Sequence, residues 1–402
     1  MENSFFQPMS LEELLEILGL TIKQDRVNKL ITFLCQLSSY TENSQFNISF
    51  NAPSSTGKSY IPLEIASLFP REDVKIIGYC SPTAFFHDVS IYDKEQKISI
   101  ADLSRQILIF LDQPHTLLLQ HLRPLLSHDK KEISIKITDK KKGIGLRTKN
   151  IVIKGFPAVI FCSSGLRLDE QEATRFLLLS PEVNQEKIRQ AIYEKLLKET
   201  NYEAYKLSLE NNPQRQALKE RIKAIKEEQI SEIRIGSPEK IKEAFLEKNR
   251  ILKPRHSRDI GRLISLVKAF ALLNLWHRDR DGLSIIANDE DIKQALEFWD
   301  SISQSQEFNL PPYIYNLYLE VIVPAFTNSK AGLTRKDIIH KHYEIYERPL
   351  PDWQLRREIL PMLEMVGLII QEPDLDDKRR MLIYPAEIKN IVDSTVYSST
   401  EL

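Results

Sequence analysis

Two hydrophobic patterns follow one another along the chain. Between residues 10 and 40, apolar positions recur at three- and four-residue spacing in SLEELLEILG and IKQDRVNKLITFLCQLSSY, which predicts two amphipathic helices, the first capped by Ser10. From Phe46 onward, short apolar runs alternate with helical stretches; the runs are FNISF, VKIIGY, ILIFLD and PAVIFCSS. Runs this short and this apolar are typical of strands buried on both faces. We therefore predict an α/β fold in which helices cover a parallel sheet.

The second half of the chain is dominated by helical patterns. Residues 183–300 are mostly helical and rich in Lys and Glu, and the Pro and Asn residues of FNLPPY (308–313) indicate a boundary. Beyond it, TRKDIIHKHYEIY and PDWQLRREILPMLEMVGL predict a helix-turn-helix, and IIQEPDLDDKRRMLIYP predicts a strand-turn-strand wing. We predict four segments: an N-terminal helical segment (1–45), an α/β core (46–182), a helical region (183–305) and a winged-helix domain (306–402).

The charge balance leaves the class of partner open. The 55 Lys and Arg residues nearly match the 56 Asp and Glu residues, so a nucleic-acid site would have to be a local basic patch. Cys35, Cys80 and Cys162 lack metal-ligand spacing and are expected to be reduced, as in a cytoplasmic protein. The N-terminal residues lack the pattern of a signal peptide, and no long uncharged apolar run occurs, so we expect no membrane span.

A candidate phosphate-binding loop follows the first predicted strand. The stretch NAPSSTGKSY (51–60) matches the pattern G-x-x-x-x-G-K-[ST], except that Ala52 replaces the first Gly, a change that a negative φ would tolerate. In this pattern backbone N–H groups face the phosphates, Lys58 reaches the β- and γ-phosphates, and the Ser59 hydroxyl ligates Mg²⁺. The alternative is a Ser/Thr/Gly loop with a chance lysine. The predicted ATP-binding residues are Ala52, Pro53, Ser54, Ser55, Thr56, Gly57, Lys58, Ser59 and Tyr60.

Two further predicted strands end in polar residues. The apolar run Ile107 to Leu111 ends on Asp112, which we expect to complete the Mg²⁺ site together with Ser59. Gln113 follows; a glutamine orients an attacking water but cannot take its proton, so nucleotide binding is better supported than fast hydrolysis. The run PAVIFCSSG ends in hydroxyls, and we expect Ser163 or Ser164 beside the γ-phosphate as a polar sensor.

The order of these motifs resembles the AAA+ ATPases, and within them the minichromosome-maintenance (MCM) helicases and their shortened relatives on mobile elements. The resemblance covers about residues 46–300 and includes Thr174-Arg175-Phe176, RDIGRLISLVKAFA from Arg258, and NDEDIKQALEF. It implies that Arg175 is an arginine finger that acts on the ATP of a neighbouring subunit, that Arg258 is a second sensor, and that 183–305 forms a helical lid. Two features depart from the family: Gln113 stands where it has Glu, and the sequence shows no N-terminal oligonucleotide-binding domain.

Two basic regions are candidates for contact with DNA. Between residues 130 and 154, nine Lys/Arg stand against two Asp/Glu, and alternating residues around DKKKG predict a β-hairpin with a basic tip. MCM-like proteins line the ring pore with such a tip, whereas the alternative is a solvated surface hairpin. A second insertion before it carries Phe85, Phe86 and His87; contact with DNA or a neighbouring subunit is one alternative, and core packing is the role we expect for the two phenylalanines. The predicted DNA-binding residues are Lys140, Lys141, Lys142, Arg147 and Lys149 in the hairpin, and Arg356, Arg357, Lys378, Arg379 and Arg380 in the winged helix.

Together these features predict a ring-forming, ATP- and Mg²⁺-dependent DNA helicase or translocase that serves the replication of a mobile element. We expect a homo-oligomer, namely a hexamer with single-stranded DNA in its pore, and a primase or replication initiator as a further partner. Two alternatives remain open. One is a slowly hydrolysing AAA+ switch that binds DNA, such as a loader or regulator. The other is an assembly or defence-complex ATPase whose winged helix binds protein.

Overall fold

The structure is a computed structural model that describes residues 6–82, 85–86, 91–93, 98–139, 147–163, 174–329, 332–375 and 377–386. The helices are α1 Leu11–Gly19, α2 Arg26–Ser38, α3 Tyr60–Ala66, α4 Thr116–Leu126, α5 Gln185–Thr200, α6 Tyr202–Glu210, α7 Pro213–Glu227, α8 Pro238–Lys248, α9 His256–Leu273, α10 Asp289–Glu307, α11 Pro312–Leu317, α12 Val323–Ser329, α13 Arg335–Tyr346, α14 Asp352–Gln354 and α15 Leu360–Met365. The strands are β1 Ile48–Asn51, β2 Val74–Ile77, β3 Ile91–Asp93, β4 Ile98–Asp102, β5 Ile107–Phe110, β6 Glu132–Asp139, β7 Arg147–Lys154, β8 Ala158–Ser163, β9 Leu177–Leu179, β10 Glu232–Ile235, β11 Asp279–Asp281, β12 Ser284–Ala287, β13 Ile369–Pro373 and β14 Met381–Pro385.

A five-stranded parallel sheet forms the centre of the first part of the chain. Its strands lie in the order β2-β5-β8-β1-β9, and every neighbouring pair is parallel. All residues of β1, β5, β8 and β9 are buried, whereas the edge strand β2 is partly exposed. The predicted mixed α/β fold with a parallel sheet is therefore confirmed, and its strands include the four short apolar runs.

The two N-terminal helices pack into this fold. Ser10 caps α1 as predicted, since its hydroxyl accepts from the backbone N–H of Glu13 at 3.2 Å while the Glu13 carboxylate accepts from the Ser10 N–H at 2.8 Å. The second helix begins at Arg26, four residues later than its apolar pattern suggests, because Gln24 and Asp25 have positive φ. Nearly all of α2 is buried, where it packs against α3 and α9.

A second sheet contains the predicted hairpin. Strands β6 and β7 pair antiparallel from Glu132↔Lys154 to Asp139↔Arg147, so the two hairpin strands are confirmed, whereas the tip lies outside the described residues. The sheet order β3-β4-β7-β6 joins this hairpin to strands from the preceding insertion, an association that the sequence did not predict. Phe85 and Phe86 are buried in a common core with β5 and α4, so core packing of this pair is confirmed.

The rest of the chain is mainly helical. The stretch 183–300 contains the expected helices and also a small sheet in the order β10-β12-β11, which the sequence did not predict. By compactness the chain divides into one unit of Met1–Glu182 with Glu186–Asn309 and a second of Val183–Gln185 with Leu310–Leu402. The predicted division into four segments stays a prediction.

The second unit contains the predicted sequence of helices followed by a hairpin. Helix α13 is followed by α14, which continues through a π-helical turn, Leu355–Ile359, into α15. Strands β13 and β14 pair antiparallel, and Leu333 forms an additional bridge to Ile383. Within the part of the chain that the structure describes, no helix has the length and apolar character needed to cross a membrane.

Candidate nucleotide-binding site

The loop that joins β1 to α3 is the predicted phosphate-binding loop. Its backbone has positive φ at Ser55 (65°) and Gly57 (94°), and Ala52 is not among the residues with positive φ. A Cβ on Gly57 would contact nothing within 4 Å, so backbone conformation, not lack of space, favours glycine there. The hydroxyl of Thr56 donates to the carbonyl oxygen of Pro53 at 2.9 Å. The departure from the motif at Ala52 is therefore compatible with the observed backbone.

The carboxyl ends of three neighbouring strands meet beside this loop. Asn51, the last residue of β1, pairs with Ser163, the last residue of β8, and β5 runs parallel on the other side of β8. The Ser163 hydroxyl donates to Oε1 of Gln113 at 3.4 Å, and the Gln113 N–H donates to Oδ1 of Asp112 at 2.8 Å. The structure thus brings three predicted site residues to one edge of the sheet, which is where ligands of open α/β sheets bind. Ser164 lies outside the described residues.

Cys162 lies between the phosphate loop and the end of β5, where charges from both act on it. The thiol of Cys162 is buried and donates to the carbonyl oxygen of Lys58 at 3.5 Å. Burial raises the pKa of Cys162 to about 12, with the Asp112 carboxylate adding to the increase and the Lys58 ammonium opposing it. Both charges therefore act on the same buried thiol. Among the described residues, Lys58 has no carboxylate within ion-pair distance.

The side chains here suit a magnesium ion shared with phosphate. Ser59 precedes α3, and its hydroxyl makes no capping hydrogen bond, while the Asp112 carboxylate is exposed. Both are oxygen donors, and Mg²⁺ is commonly held by one or two protein groups together with phosphate oxygens and water. No cluster of three or more His, Cys, Asp or Glu side chains that could hold a metal ion occurs in the described ranges.

Arg175 lies at the amino-terminal end of the parallel strands, opposite the end at which the phosphate loop lies. Its Nε donates to Oγ of Ser127 at 2.8 Å, and the adjacent carbonyl oxygen of Leu126 accepts from Nδ2 of Asn47 at 3.2 Å. Asn47 immediately precedes β1, whereas the phosphate loop begins at Ala52. At about 3.3 Å per residue the strand separates these two points by roughly 16 Å. Arg175 is therefore remote from the phosphate loop of its own chain.

Arg258 lies with Arg175. Its Nη1 donates to the hydroxyl of Thr174, the residue before Arg175. Thr174 lies just before β9, whose first residue pairs with the first residue of β1. The structure therefore places the two predicted arginines together and places neither of them at Lys58.

A buried ionic cluster underlies these arginines and was missed in the sequence. The carboxylate of Asp259 accepts from Arg255 at 2.8 and 3.1 Å and from Arg262 at 3.0 Å, and all three side chains are at most 10% exposed. Arg262 also donates through Nη2 to the carbonyl oxygen of Thr174. Burial lowers the pKa of Arg262 to about 10, which the nearby Asp259 opposes. The spacing R-x-x-x-D-x-x-R on one helix was the available signal, because it places all three side chains on one face.

A second missed feature lies beneath the phosphate loop. Lys187 in α5 forms an ion pair with Asp25, whose carboxylate is fully buried, and donates to the carbonyl oxygen of Thr56 at 3.4 Å. Asp25 also accepts from Asn28 Nδ2 at 2.8 Å and from the backbone N–H of Glu182 at 2.7 Å. No local pattern connects residues so far apart in sequence, so nothing in the sequence indicated this contact.

The predicted DNA-binding residues are described only in part. Lys140, Lys141 and Lys142 lie outside the described residues, and for Arg147 and Lys149 the backbone is described, as part of β7.

The C-terminal basic residues are all exposed: Arg356, Arg357, Lys378, Arg379 and Arg380. Arg379 pairs with Asp377 at 3.2 Å, and Arg380 lies 3.9 Å from Asp374, so acidic residues of the same turn offset part of this charge.

No protein-family model matches the chain, and no curated protein has a similar sequence.

Proposed function

We propose that this protein is a ring-forming, Mg²⁺-dependent ATPase that moves along or unwinds DNA, as the resemblance to MCM-like AAA+ proteins implies. The observation that carries the proposal is the convergence at one sheet edge of the Gly57-Lys58-Ser59 loop with Asp112, Gln113 and Ser163. Lys58 has no acidic partner among the described residues, and the Asp112 carboxylate near it is exposed. This combination of charges suits a phosphate chain bound together with a divalent cation.

The proposal assigns a role to each of these residues. Backbone N–H groups and Lys58 bind the phosphates, and Ser59 and Asp112 hold the ion. A bound Mg²⁺ would neutralise charge on the β- and γ-phosphates. Gln113, whose Oε1 accepts from Ser163, orients a water that attacks the γ-phosphorus while the bond to the bridging oxygen breaks. A glutamine cannot take up the proton of this water, so the proton passes to the phosphate.

The arginines favour action between subunits. Arg175 and Arg258 share the edge opposite the phosphate loop, so in one chain they are too remote to stabilise charge on its own nucleotide. A neighbouring copy in a ring would present them to the next site. Such an arginine typically contributes 10³ to 10⁵ in rate in related NTPases.

The proposed contact with DNA rests on two basic regions. Its support is the basic hairpin formed by β6 and β7, together with the exposed arginines of the C-terminal helix and turn, which a winged helix would direct at phosphates. A hexameric ring, a mobile-element setting and a primase or initiator partner belong to the same proposal.

A second candidate function is a slowly hydrolysing, DNA-binding switch. Gln113 favours it, because the position lacks a base and its side chain is already hydrogen-bonded to Ser163. DNA-stimulated turnover and strand displacement would favour the motor, whereas ATP binding with turnover that DNA does not change would favour the switch.

The test combines two variants. Lys58→Ala should weaken ATP binding strongly with little effect on the free energy of unfolding, and Arg175→Ala should abolish hydrolysis while ATP binding persists. Mixtures of the two should recover some activity, because some mixed interfaces then have both groups intact. ATP affinity unchanged by Lys58→Ala would contradict the nucleotide site. Hetero-oligomers that stay inactive at every mixing ratio would contradict action between subunits.

A further inference from the structure

Arg262 makes contacts that connect the buried ionic cluster to the arginine finger. One side of its guanidinium donates to Asp259, and the other donates to the backbone carbonyl of Thr174, directly before Arg175. Arg255 shares the same carboxylate but donates its remaining hydrogen bond to Asn309 at 3.0 Å. The two arginines therefore resemble each other in burial and ion pairing, and they differ in whether they reach the finger.

A contribution to stability does not account for this arrangement. Two buried guanidiniums share one carboxylate, and buried ion pairs contribute little net stability, because desolvation offsets their attraction. A planar guanidinium does, however, hold two acceptors in fixed relative positions. Here the two acceptors belong to α9 and to the turn before β9.

We propose that Arg262, held by Asp259, is a positioning residue that fixes the backbone at Thr174 and thereby aims Arg175 at the nucleotide of the neighbouring subunit. This inference rests on the proposed function. The Nε of Arg175 donates to Ser127 at 2.8 Å, so this hydrogen bond and the position of the adjacent backbone at Thr174 together set the direction of its guanidinium. A displacement of about 1 Å at such a group is enough to lower a rate by as much as 10²-fold.

Three variants in the full chain test this role. Arg262→Met removes both contacts, Arg262→Lys keeps a cation for Asp259 but cannot hold two acceptors in a fork, and Arg255→Met is the matched control. We expect Arg262→Met to lower kcat about 10- to 100-fold with ATP affinity unchanged, and Arg262→Lys to lower it by at least about fivefold. Arg255→Met should stay within about threefold of wild type.

Subunit mixing distinguishes a loss of Arg175 positioning from a general structural defect. Arg262→Met subunits keep an intact phosphate loop, so mixing them with Lys58→Ala subunits, which keep an intact finger, should restore hydrolysis, as we also expect for Arg175→Ala. A defect of the whole fold would also damage the loop and prevent this recovery.

The outcomes separate this inference from the proposed function. Wild-type hydrolysis by Arg175→Ala would contradict the proposed function itself. An inactive Arg175→Ala with a wild-type rate for Arg262→Lys, or an equal loss for Arg255→Met, would overturn the positioning role alone. If Arg262→Met does not fold, Arg262→Lys decides by its rate alone.

Discussion

Removing the ammonium group of Lys187 should reveal how the phosphate loop is supported. Lys187→Met keeps the length and apolar stem of the side chain but leaves the carboxylate of Asp25 without its ion-pair partner. That carboxylate is fully buried, and the Lys187 side chain is only 13% exposed. Breaking a buried pair from one side typically costs about 3–5 kcal/mol. Because Asp25 keeps the donors from Asn28 and Glu182, we expect the free energy of unfolding to fall by about 2–3 kcal/mol.

The same substitution should weaken nucleotide binding modestly. The hydrogen bond from Lys187 to the Thr56 carbonyl fixes one point of the loop, and a bond of this kind contributes about 1 kcal/mol, or roughly fivefold in ATP affinity. Urea unfolding followed by tryptophan fluorescence gives the stability, and ATP titration gives the affinity. Lys195→Met on the exposed face of the same helix is the matched control and should change stability by less than about 0.5 kcal/mol.

A double-mutant cycle isolates the ion pair. Asp25→Asn in the Lys187→Met background replaces the stranded carboxylate by a neutral amide, so it should restore about 2 kcal/mol of the lost stability. Additive effects of the two substitutions, or a loss below about 0.5 kcal/mol for Lys187→Met alone, would refute the reasoning.

Two further predictions follow from other parts of the chain. Replacing the three lysines of the hairpin tip (140–142) by alanine should flatten the salt dependence of DNA affinity and abolish DNA stimulation of the ATPase, while basal turnover persists. A wild-type salt slope would contradict the proposal that this tip lines a pore. His128 packs against Phe156, and burial lowers its pKa to about 4 from 6.5, so the unfolded chain takes up a proton that the native chain does not. The free energy of unfolding should therefore fall by about 2 kcal/mol between pH 6.5 and 4.5. His128→Asn, a residue that tolerates the positive φ at this position (55°), should remove that part of the shift in denaturant midpoint. An unchanged pH profile in this variant would contradict the role given to His128.

Features formed by neighbouring residues were predictable from the sequence. The capping box at Ser10, the strand-loop-helix around Gly57 and the antiparallel strands of the basic hairpin each depend on residues close together in the chain. The start of α2 was placed four residues too early, because Asp25 adopts a left-handed backbone conformation in which its carboxylate accepts from the distant Glu182. A local hydrophobic pattern contains no information about a partner so distant in sequence.

The candidate site likewise combines features that local sequence predicts with features that depend on distant residues. The amino-acid sequence alone determined which residues can meet at the carboxyl edge of a parallel sheet, since Asp112 and Ser163 directly follow or end apolar runs. Only the tertiary structure decided that Arg258 and Arg262 reach Thr174, more than eighty residues away in sequence, at the edge opposite the phosphate loop. It also joined the insertion strands and the basic hairpin in one sheet. The physical reason is that local patterns specify strands, turns and caps through nearby hydrogen bonds, whereas buried ion pairs and sheet order depend on burial that the whole chain achieves together.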